Sequence, residues 1–429
     1  MKKKILSLAA AVAMLGMFAS CSSDDPKSPS PEPEPEPTVV PGENIPANEY
    51  TGAAVAITMG DAPITGQIVK FTPGTEPKLT IESEPINLSE LIAGVAAQSK
   101  AEGDLMLKTP GLIPGSPSVT IPLTLTGEAD TCSFTGTTQT EYCTFNYTGA
   151  VGPNGVTLSI SDVKLKNASL AGTYTVPTDY VSEDNTLDIS RLFRLKWDST
   201  EKIIGFPAGQ IIGIALQFVT QPNADGVAQP LPVLYANVLK NVTFGEDGSV
   251  TATYRDTDKE GWPEATAPKG IASYVVKEDG TALVFINPTA VIANVAANAS
   301  KSRAIDMDAI MATLINDVLP MCQNGVPVSY GPALVDTWTY DENTNQIFAP
   351  SDNPNAYSFY LGTDLLLPLL KLAAPILTDD SVVNMIVEAA QKDPNMGFLA
   401  SMIPSMLESV PKVIETTTCV ELGINLDRQ

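Results

Sequence analysis

The sequence predicts an α+β protein in which antiparallel β-meanders pack against apolar helices. Two observations lead to this fold class. From Tyr50 to about Pro177 the chain alternates apolar and polar residues, and a period of two is typical of strands with one buried face. The last third instead carries apolar residues at helical spacing, as in Ile305–Leu319 and Leu365–Leu377, which predicts helices with wide apolar faces.

Residues 1–20 have the anatomy of a secretory signal. Three lysines precede the apolar stretch Ile5–Phe18, which is shorter than the ~20 residues that span a bilayer. Phe18–Cys21 resembles the lipobox of bacterial lipoproteins. This resemblance implies cleavage before Cys21 and attachment of palmitate-type acyl chains to its thiol. The alternative is an ordinary signal with an incidental cysteine.

The segment that follows predicts a surface address and a stalk. Ser22–Asp25 resembles the acidic export tract of Bacteroidetes-type lipoproteins, which implies the outer face of the outer membrane. Residues 26–41 hold seven prolines among glutamates and serines, so we expect an extended, unfolded tether. The predicted organisation is therefore a signal (1–20), a lipidated tether (21–48), a β-rich domain with one helix (49–180) and an α+β domain with a helical C-terminal part (181–429).

Composition excludes several function classes. The formal net charge is −24 and becomes −27 without the three signal lysines, which disfavours nucleic acid as a partner. Membrane contact is expected through the N-terminal lipid only. The chain has no histidine, which rules out Ser-His-Asp triads and histidine-ligated metals. We find no other catalytic or cofactor motif, so we predict a protein that is not an enzyme and has no cofactor.

Four cysteines remain after Cys21. Cys132 and Cys143 flank ten residues, and a turn at Thr137-Thr138 would place them opposite each other on paired strands. We therefore predict a disulfide between them, worth ~3 kcal/mol in the entropy model. Cys322 and Cys419 form the second pair by elimination, with two buried free thiols as the alternative.

Individual strands can be placed along the chain. In Ser118–Thr126 the apolar residues alternate with threonines and Pro122, which predicts a half-buried edge strand. Glu141–Leu165 predicts two strands joined through Gly152–Gly155. Two further hairpins are predicted around Asp247-Gly248 and Asp279-Gly280, because Asp-Gly favours the φ > 0 of tight turns.

An internal similarity suggests two pseudo-repeated units that meet near residues 178–190. "INLSELIAGVAAQ" (Ile86–Gln98) and "INPTAVIANVAAN" (Ile286–Asn298) match at seven of thirteen positions. A true duplication and a chance match of alanine-valine helices both remain open.

Two resemblances follow from these segments. "EYTGAAVAITMGDAPITGQIVKFTPGTEPKLTI" and "TFNYTGAVGPNGVTLSISDVKL" are similar to the calycin-like β-domains of Bacteroidetes surface lipoproteins. The likeness covers residues 49–177. A duplicated sheet-plus-helix unit is also similar in outline to tubular lipid-binding proteins of the bactericidal/permeability-increasing type, a likeness of architecture that transfers no residues.

Three aromatic residues are candidates for ligand contact. Trp262 lies in a loop rich in proline and glycine, and Trp338 and Tyr340 share a strand face. The alternative for all three is burial in the core.

The function that we predict is a non-enzymatic surface lipoprotein that binds an apolar, lipid-like ligand. The apolar helices Leu365–Leu377 and Met396–Leu407 need more cover than one sheet face supplies, so they line a pocket or pack into a plain core. The alternatives are capture of a glycan or protein through Trp262 and, third, a carboxylate-based hydrolase.

Overall fold

The chain folds into an open two-sheet body followed by a closed barrel. The computed structural model describes residues 40–60, 62–87, 106–107, 110–181, 187–218, 220–257, 259–267, 269–287, 324–334, 339–341, 346–348, 352–392, 397 and 400–429. These residues belong to one compact unit, Val40–Gln429. The predicted signal, Cys21, Ile305–Leu319 and most of the two repeated segments lie outside the described residues.

Strands also dominate the described part of the first body. A short 3-10 helix, Gly52–Ala54, precedes its second strand. The strands are β1 (Asn48–Tyr50), β2 (Val55–Met59), β3 (Ala62–Ile64), β4 (Gln67–Thr72), β5 (Lys78–Ser83), β6 (Ile86–Asn87), β7 (Met106–Leu107), β8 (Ser118–Pro122), β9 (Thr126–Gly127), β10 (Cys132–Gln139), β11 (Cys143–Gly152) and β12 (Gly155–Leu165).

These strands build two sheets that share one core. One sheet has the order β1-β4-β5-β8 and the other β3-β2-β12-β11-β10-β9, while β6 and β7 pair separately. Alternate residues such as Phe71, Ile121 and Phe145 are buried in a single hydrophobic cluster. The Tyr147 hydroxyl donates to the carbonyl oxygen of Pro122 at 2.6 Å, which links the two sheets directly.

The predicted edge strand Ser118–Thr126 is confirmed over Ser118–Pro122, the residues that form β8. β8 pairs only with β5 and lies at the edge of its sheet, where a residue without an N–H is tolerated. Val119 and Ile121 are buried while Thr120 and Pro122 are exposed. The β11–β12 hairpin through Gly152–Gly155 is also confirmed.

The predicted disulfide between Cys132 and Cys143 is not formed, because the hairpin has a different register. The turn between β10 and β11 falls at residues 140–142, not at Thr137-Thr138, so Cys132 pairs with Val151 at the far end of the ladder. Eight residues of β11 separate this position from Cys143, or ~27 Å at 3.4 Å per residue. A disulfide needs Cα atoms ~4.4–6.8 Å apart. Both cysteines are buried free thiols.

We expect Cys143 to resist alkylation in the folded protein. Burial raises the pKa of its thiol to about 11, against smaller opposing effects of Thr140 and Lys166, and the thiolate is the reactive form. Iodoacetamide at pH 8 should label Cys143 only after urea unfolds the chain, whereas the partly exposed Cys419 should label without urea. Mass spectrometry of tryptic peptides measures both, and rapid labelling of Cys143 without urea would contradict the expectation.

The raised pKa of Cys143 also makes the stability of the protein depend on pH. The folded-state pKa of Cys143 lies above 9.0, the usual value of a cysteine thiol, so between pH ~9 and ~11 the unfolded chain loses this proton first. The free energy of unfolding therefore falls as the pH rises through this window.

The second body contains longer strands and the described α-helices. The strands are β13 (Gly172–Thr175), β14 (Phe193–Ser199), β15 (Thr220–Pro222), β16 (Ala228–Pro230), β17 (Leu239–Phe244), β18 (Ser249–Arg255), β19 (Glu264–Thr266), β20 (Ala272–Val276), β21 (Ala282–Ile286), β22 (Val326–Leu334), β23 (Thr339–Asp341), β24 (Gln346–Phe348), β25 (Asp352–Leu361) and β26 (Thr417–Arg428). The helices are α1 (Ile189–Leu192), α2 (Ala208–Phe218), α3 (Leu231–Val238), α4 (Thr363–Leu377), α5 (Asp380–Lys392) and α6 (Ile403–Glu415).

Eight of these strands close into an antiparallel barrel. The order is β13-β17-β18-β20-β21-β22-β25-β26, and β26 pairs back to β13 through Tyr174 with Arg428 and Thr175 with Asp427. β14 lies outside this ring as a further partner of β26. Both predicted Asp-Gly hairpins are confirmed as β17–β18 and β20–β21, with φ of 79° at Gly248 and 84° at Gly280.

The mixed α and β fold class is confirmed, but the barrel lies in an unexpected part of the chain. A closed barrel is compatible with a calycin-like architecture, yet it is built from Gly172–Arg428. The calycin-like resemblance belongs to residues 49–177, whose described strands β1–β12 form open sheets and of which only β13 belongs to the barrel. The two bodies also share the main hydrophobic cluster, and the amide of Leu165 donates to the carbonyl oxygen of Glu246 across them at 2.9 Å. The family assignment and the boundary near residue 180 stay predictions.

One predicted helix is present in the last third. α4 contains the predicted Leu365–Leu377, and α5 follows it at Asp380–Lys392. The Asp379 side chain caps α5, because it accepts from the amide and hydroxyl of Ser381. A second hydrophobic cluster joins buried residues of α2, α4 and α6 with Trp197 of β14.

Candidate functional site

The barrel has an apolar interior. Phe244 of β17 and Phe359 of β25 stack with ring centroids 5.4 Å apart, although their strands are not neighbours in the ring. These side chains therefore meet across the interior. The opposite face of the wall is polar, as at Thr173 and Thr243, whose hydroxyls lie 3.0 Å apart.

One level of the interior is filled by rings, which we call the aromatic floor: Tyr174, Phe244, Tyr274, Tyr357 and Phe359. Tyr174 contacts three of the others at centroid distances of 5.0–5.7 Å, all close to edge-on. Phe244 contacts Tyr274 at 5.1 Å. Tyr174 and Tyr274 are fully buried. Such edge-to-face packing adds to the energy of burial and blocks the interior at this level.

A cation lies next to the aromatic floor at its lower end. The Arg428 guanidinium lies 5.8 Å from the Tyr174 ring centroid and 5.7 Å from that of Tyr357. It also donates to the carbonyl oxygen of Ala171 at 3.2 Å. A hydrogen bond with Tyr357 raises the pKa of Arg428, so this exposed side chain keeps its positive charge.

The interior above the floor is less filled. The side chains that continue the apolar face toward the other end form the upper half of the barrel: Leu239, Val242, Ala252, Tyr254, Ile286, Val326, Leu361 and Leu422. All are partly or largely accessible to solvent, and Leu422 is 47% exposed. An eight-stranded barrel is just wide enough to be filled by side chains or to hold one small ligand. The upper half is therefore a candidate ligand site.

Helix α3 brings an unsatisfied hydroxyl to this region. The Tyr235 ring packs on Phe193, the first residue of β14, at a centroid distance of 4.9 Å. Its hydroxyl is buried and has no hydrogen-bond partner among the described residues, and burial raises the pKa of Tyr235 strongly. Leaving a buried hydroxyl unpaired costs ~1–3 kcal/mol, so this atom is a candidate to meet a polar group of a ligand.

A cleft of about 330 Å³ opens beside the upper half. Its walls are residues 175–178 and Tyr180, which follow the top of β13, and the junction of α3 with β17. Leu239 lines the cleft and also pairs with Tyr254 on the apolar face of the barrel wall. Small-ligand pockets typically measure ~300–1,000 Å³, so the cleft is large enough to continue the upper half outward.

The predicted contact residues lie elsewhere or are not described. Trp262 is half-buried in the loop between β18 and β19, with a positive φ of 47° and its amide bonded to Lys259. Tyr340 lies on β23, which pairs with β24, while Trp338 and Cys322 lie outside the described residues. Cys419, the predicted partner of Cys322, is a free thiol.

Sequence reasoning missed the residues that define the barrel site. The floor residues alternate with polar neighbours, as in "YSFYL" around Phe359, and this signal indicates a strand but not an enclosed ring. Tyr235 carried no signal, because its role depends on which strands become neighbours.

No known protein family, curated protein or solved structure matches this chain. No described helix is long and apolar enough to cross a membrane. In the part of the chain that the structure describes, acidic residues and cysteines form no group of three or more suited to a metal ion.

Proposed function

We propose that this protein is a surface lipoprotein that carries one apolar, lipid-like molecule in the upper half of its barrel and performs no catalysis. The observation that carries the proposal is the contrast within one interior. The aromatic floor is packed, whereas the apolar residues above it are accessible to solvent. Partly exposed apolar side chains inside a closed wall are stabilised when a ligand removes them from water.

The test is whether lipid co-purifies with the folded protein. Native mass spectrometry and organic extraction of protein from its natural host should show about one bound lipid. Ala252→Trp fills the upper half and should reduce bound lipid about tenfold or more. Thr251→Trp adds the same ring on the opposite face of β18 and should leave the lipid in place. Preparations without lipid in wild type and both variants would contradict the proposal.

The proposed anchor is Cys21. The signal anatomy, the lipobox-like Phe18–Cys21 and the proline-rich tether support attachment to the outer membrane and exposure at the cell surface. Cys21→Ser should release the protein from the membrane fraction and remove the acyl mass from the mature N-terminus. A mature chain that begins at another residue, without acyl mass, would contradict the anchor.

The alternative function, capture of a glycan or protein, rests on Trp262. The residue adopts a left-handed backbone conformation that non-glycine residues rarely adopt, and its ring is partly exposed. Loss of binding to immobilised glycans in Trp262→Ala, together with a lipid-free barrel, would favour this alternative.

A further inference from the structure

The cleft beside the upper half has an unusual electrostatic character for this chain. The protein carries 49 acidic and 25 basic residues, yet among the described residues that line the cleft Lys240 is the one charged residue and none carries a carboxylate. Its other polar walls are uncharged, including Thr175, Thr178 and Asn237. A positive site in a strongly negative protein favours an anionic group.

Among the described residues, the charges next to the cleft form no salt bridge with Lys240. Asp179, which follows Thr178, is bound by Arg191 at 2.8 Å, and Arg191 also forms a salt bridge with Asp427 at 2.8 Å. These three residues satisfy one another. Among the described residues Lys240 forms no salt bridge, whereas Lys70, Lys196, Lys259, Lys269 and Lys277 each do.

The backbone places Lys240 between the cleft and the barrel. The pairing register of β17 with β18 shifts between Leu239 and Asn241, so Lys240 lies at an irregularity of the ladder. Its neighbour Leu239 pairs with Tyr254 on the apolar face, and the amide of Val176 donates to the Lys240 carbonyl oxygen at 3.0 Å. A cation and the start of an apolar path are therefore adjacent residues.

We infer that the ligand is a long-chain carboxylate, with its head group at Lys240 in the cleft and its hydrocarbon chain past Leu239 in the upper half of the barrel. This inference rests on the proposed function and deepens it. A carboxylate gains a charge-assisted hydrogen bond from the ammonium, and the chain covers the accessible apolar wall.

The experiment compares dodecanoate with dodecanol, which have equal chain length and different head groups. The full-length chain carrying Cys21→Ser is stripped of lipid and titrated with each probe by calorimetry. Without a further substitution, this protein should bind dodecanoate more tightly than dodecanol. Lys240→Met should weaken dodecanoate about tenfold, since hydrogen bonds to charged groups are worth ~1.5–3 kcal/mol, and should change dodecanol less than twofold. Lys78→Met is the matched control, because Lys78 lies at an exposed strand end that is distant in sequence from Lys240. It should leave the affinity for both probes unchanged.

Each outcome decides between the two ideas. Equal losses for both probes, or no loss in Lys240→Met, would overturn the head-group assignment and leave the apolar barrel site standing. Failure of both probes to bind the wild-type protein would overturn both. If Lys240→Met does not fold, Lys240→Arg should keep dodecanoate binding. In that case the wild-type protein is also titrated in ~1 M salt, where charges are screened beyond ~3 Å. Its affinity for dodecanoate should then fall below the value at low salt, while its affinity for dodecanol should not. Equal affinity for dodecanoate at low and high salt would overturn the assignment.

Discussion

Replacing Tyr174 with alanine should lower the free energy of unfolding by about 4 kcal/mol, since aromatic-to-alanine changes in cores cost ~3–5 kcal/mol. Tyr174 is 0% exposed and contacts three other rings of the aromatic floor. Its hydroxyl donates to the carbonyl oxygen of Leu170 at 3.1 Å. The substitution therefore removes a buried ring and opens a cavity between the remaining floor residues.

Tyr174→Phe is the matched control, because it keeps the ring and removes only the hydroxyl. It should cost about 1 kcal/mol, the typical net value of one hydrogen bond. Urea titration followed by far-ultraviolet circular dichroism gives both values. A loss below ~1 kcal/mol in Tyr174→Ala would show that the floor does not hold the barrel together.

A methyl group added at Gly423 should destabilise the protein by about 3 kcal/mol, at the upper end of overpacking costs. Gly423 lies on β26 between two paired neighbours, Arg194 of β14 and Tyr360 of β25. A Cβ atom there would lie 2.2 Å from the Phe359 carbonyl oxygen and 2.5 Å from the Tyr360 Cβ. The first of these atoms is backbone, so the strand itself must shift.

The side chains of Arg194 and Tyr360, the residues that pair with Gly423, contact each other beside it. The Arg194 guanidinium lies 4.2 Å from the Tyr360 ring centroid and also binds Glu421 at 2.7 Å. Gly423→Ala would separate this pair as well. The control is Gly331→Ala on β22, where a Cβ meets no atom within 4 Å. Its stability should change by less than ~0.5 kcal/mol, and equal effects at the two glycines would contradict the steric explanation.

Local features of the fold could be predicted from the sequence because local rules determine them. The alternation around Val119 and Ile121, the edge position of Pro122 and the Asp-Gly turns at Gly248 and Gly280 depend on a few neighbouring residues. The apolar helix α4 follows from its composition in the same way. The error at Cys132 and Cys143 was also local. The two strands do pair as predicted, but a turn placed too early changes the partner of every residue on the strand.

The candidate site could not be predicted, because its residues are distant in sequence. Tyr174, Phe244 and Phe359 meet only when the barrel closes, and no periodicity indicates which strand pairs with which. Lys240 acquires its proposed role from an irregularity in the β17–β18 ladder and from the lack of a carboxylate among the described residues that line the cleft. The predicted aromatic contacts were chosen by residue type alone, and Trp262 lies in a loop rather than in the barrel.

The pairing of Tyr174 with Arg428 also has consequences for the order of folding. Closing the barrel joins residues 254 positions apart, whereas the β11–β12 hairpin joins residues three apart, Gly152 and Gly155. Each doubling of loop length adds ~0.6 kcal/mol of closure entropy, so the barrel ring costs ~4 kcal/mol more to close than this hairpin. Folds with many such distant pairings form slowly. We therefore expect the hairpins of the first body to form early and barrel closure to limit the rate of folding, so that the apolar interior comes into existence only in the last step.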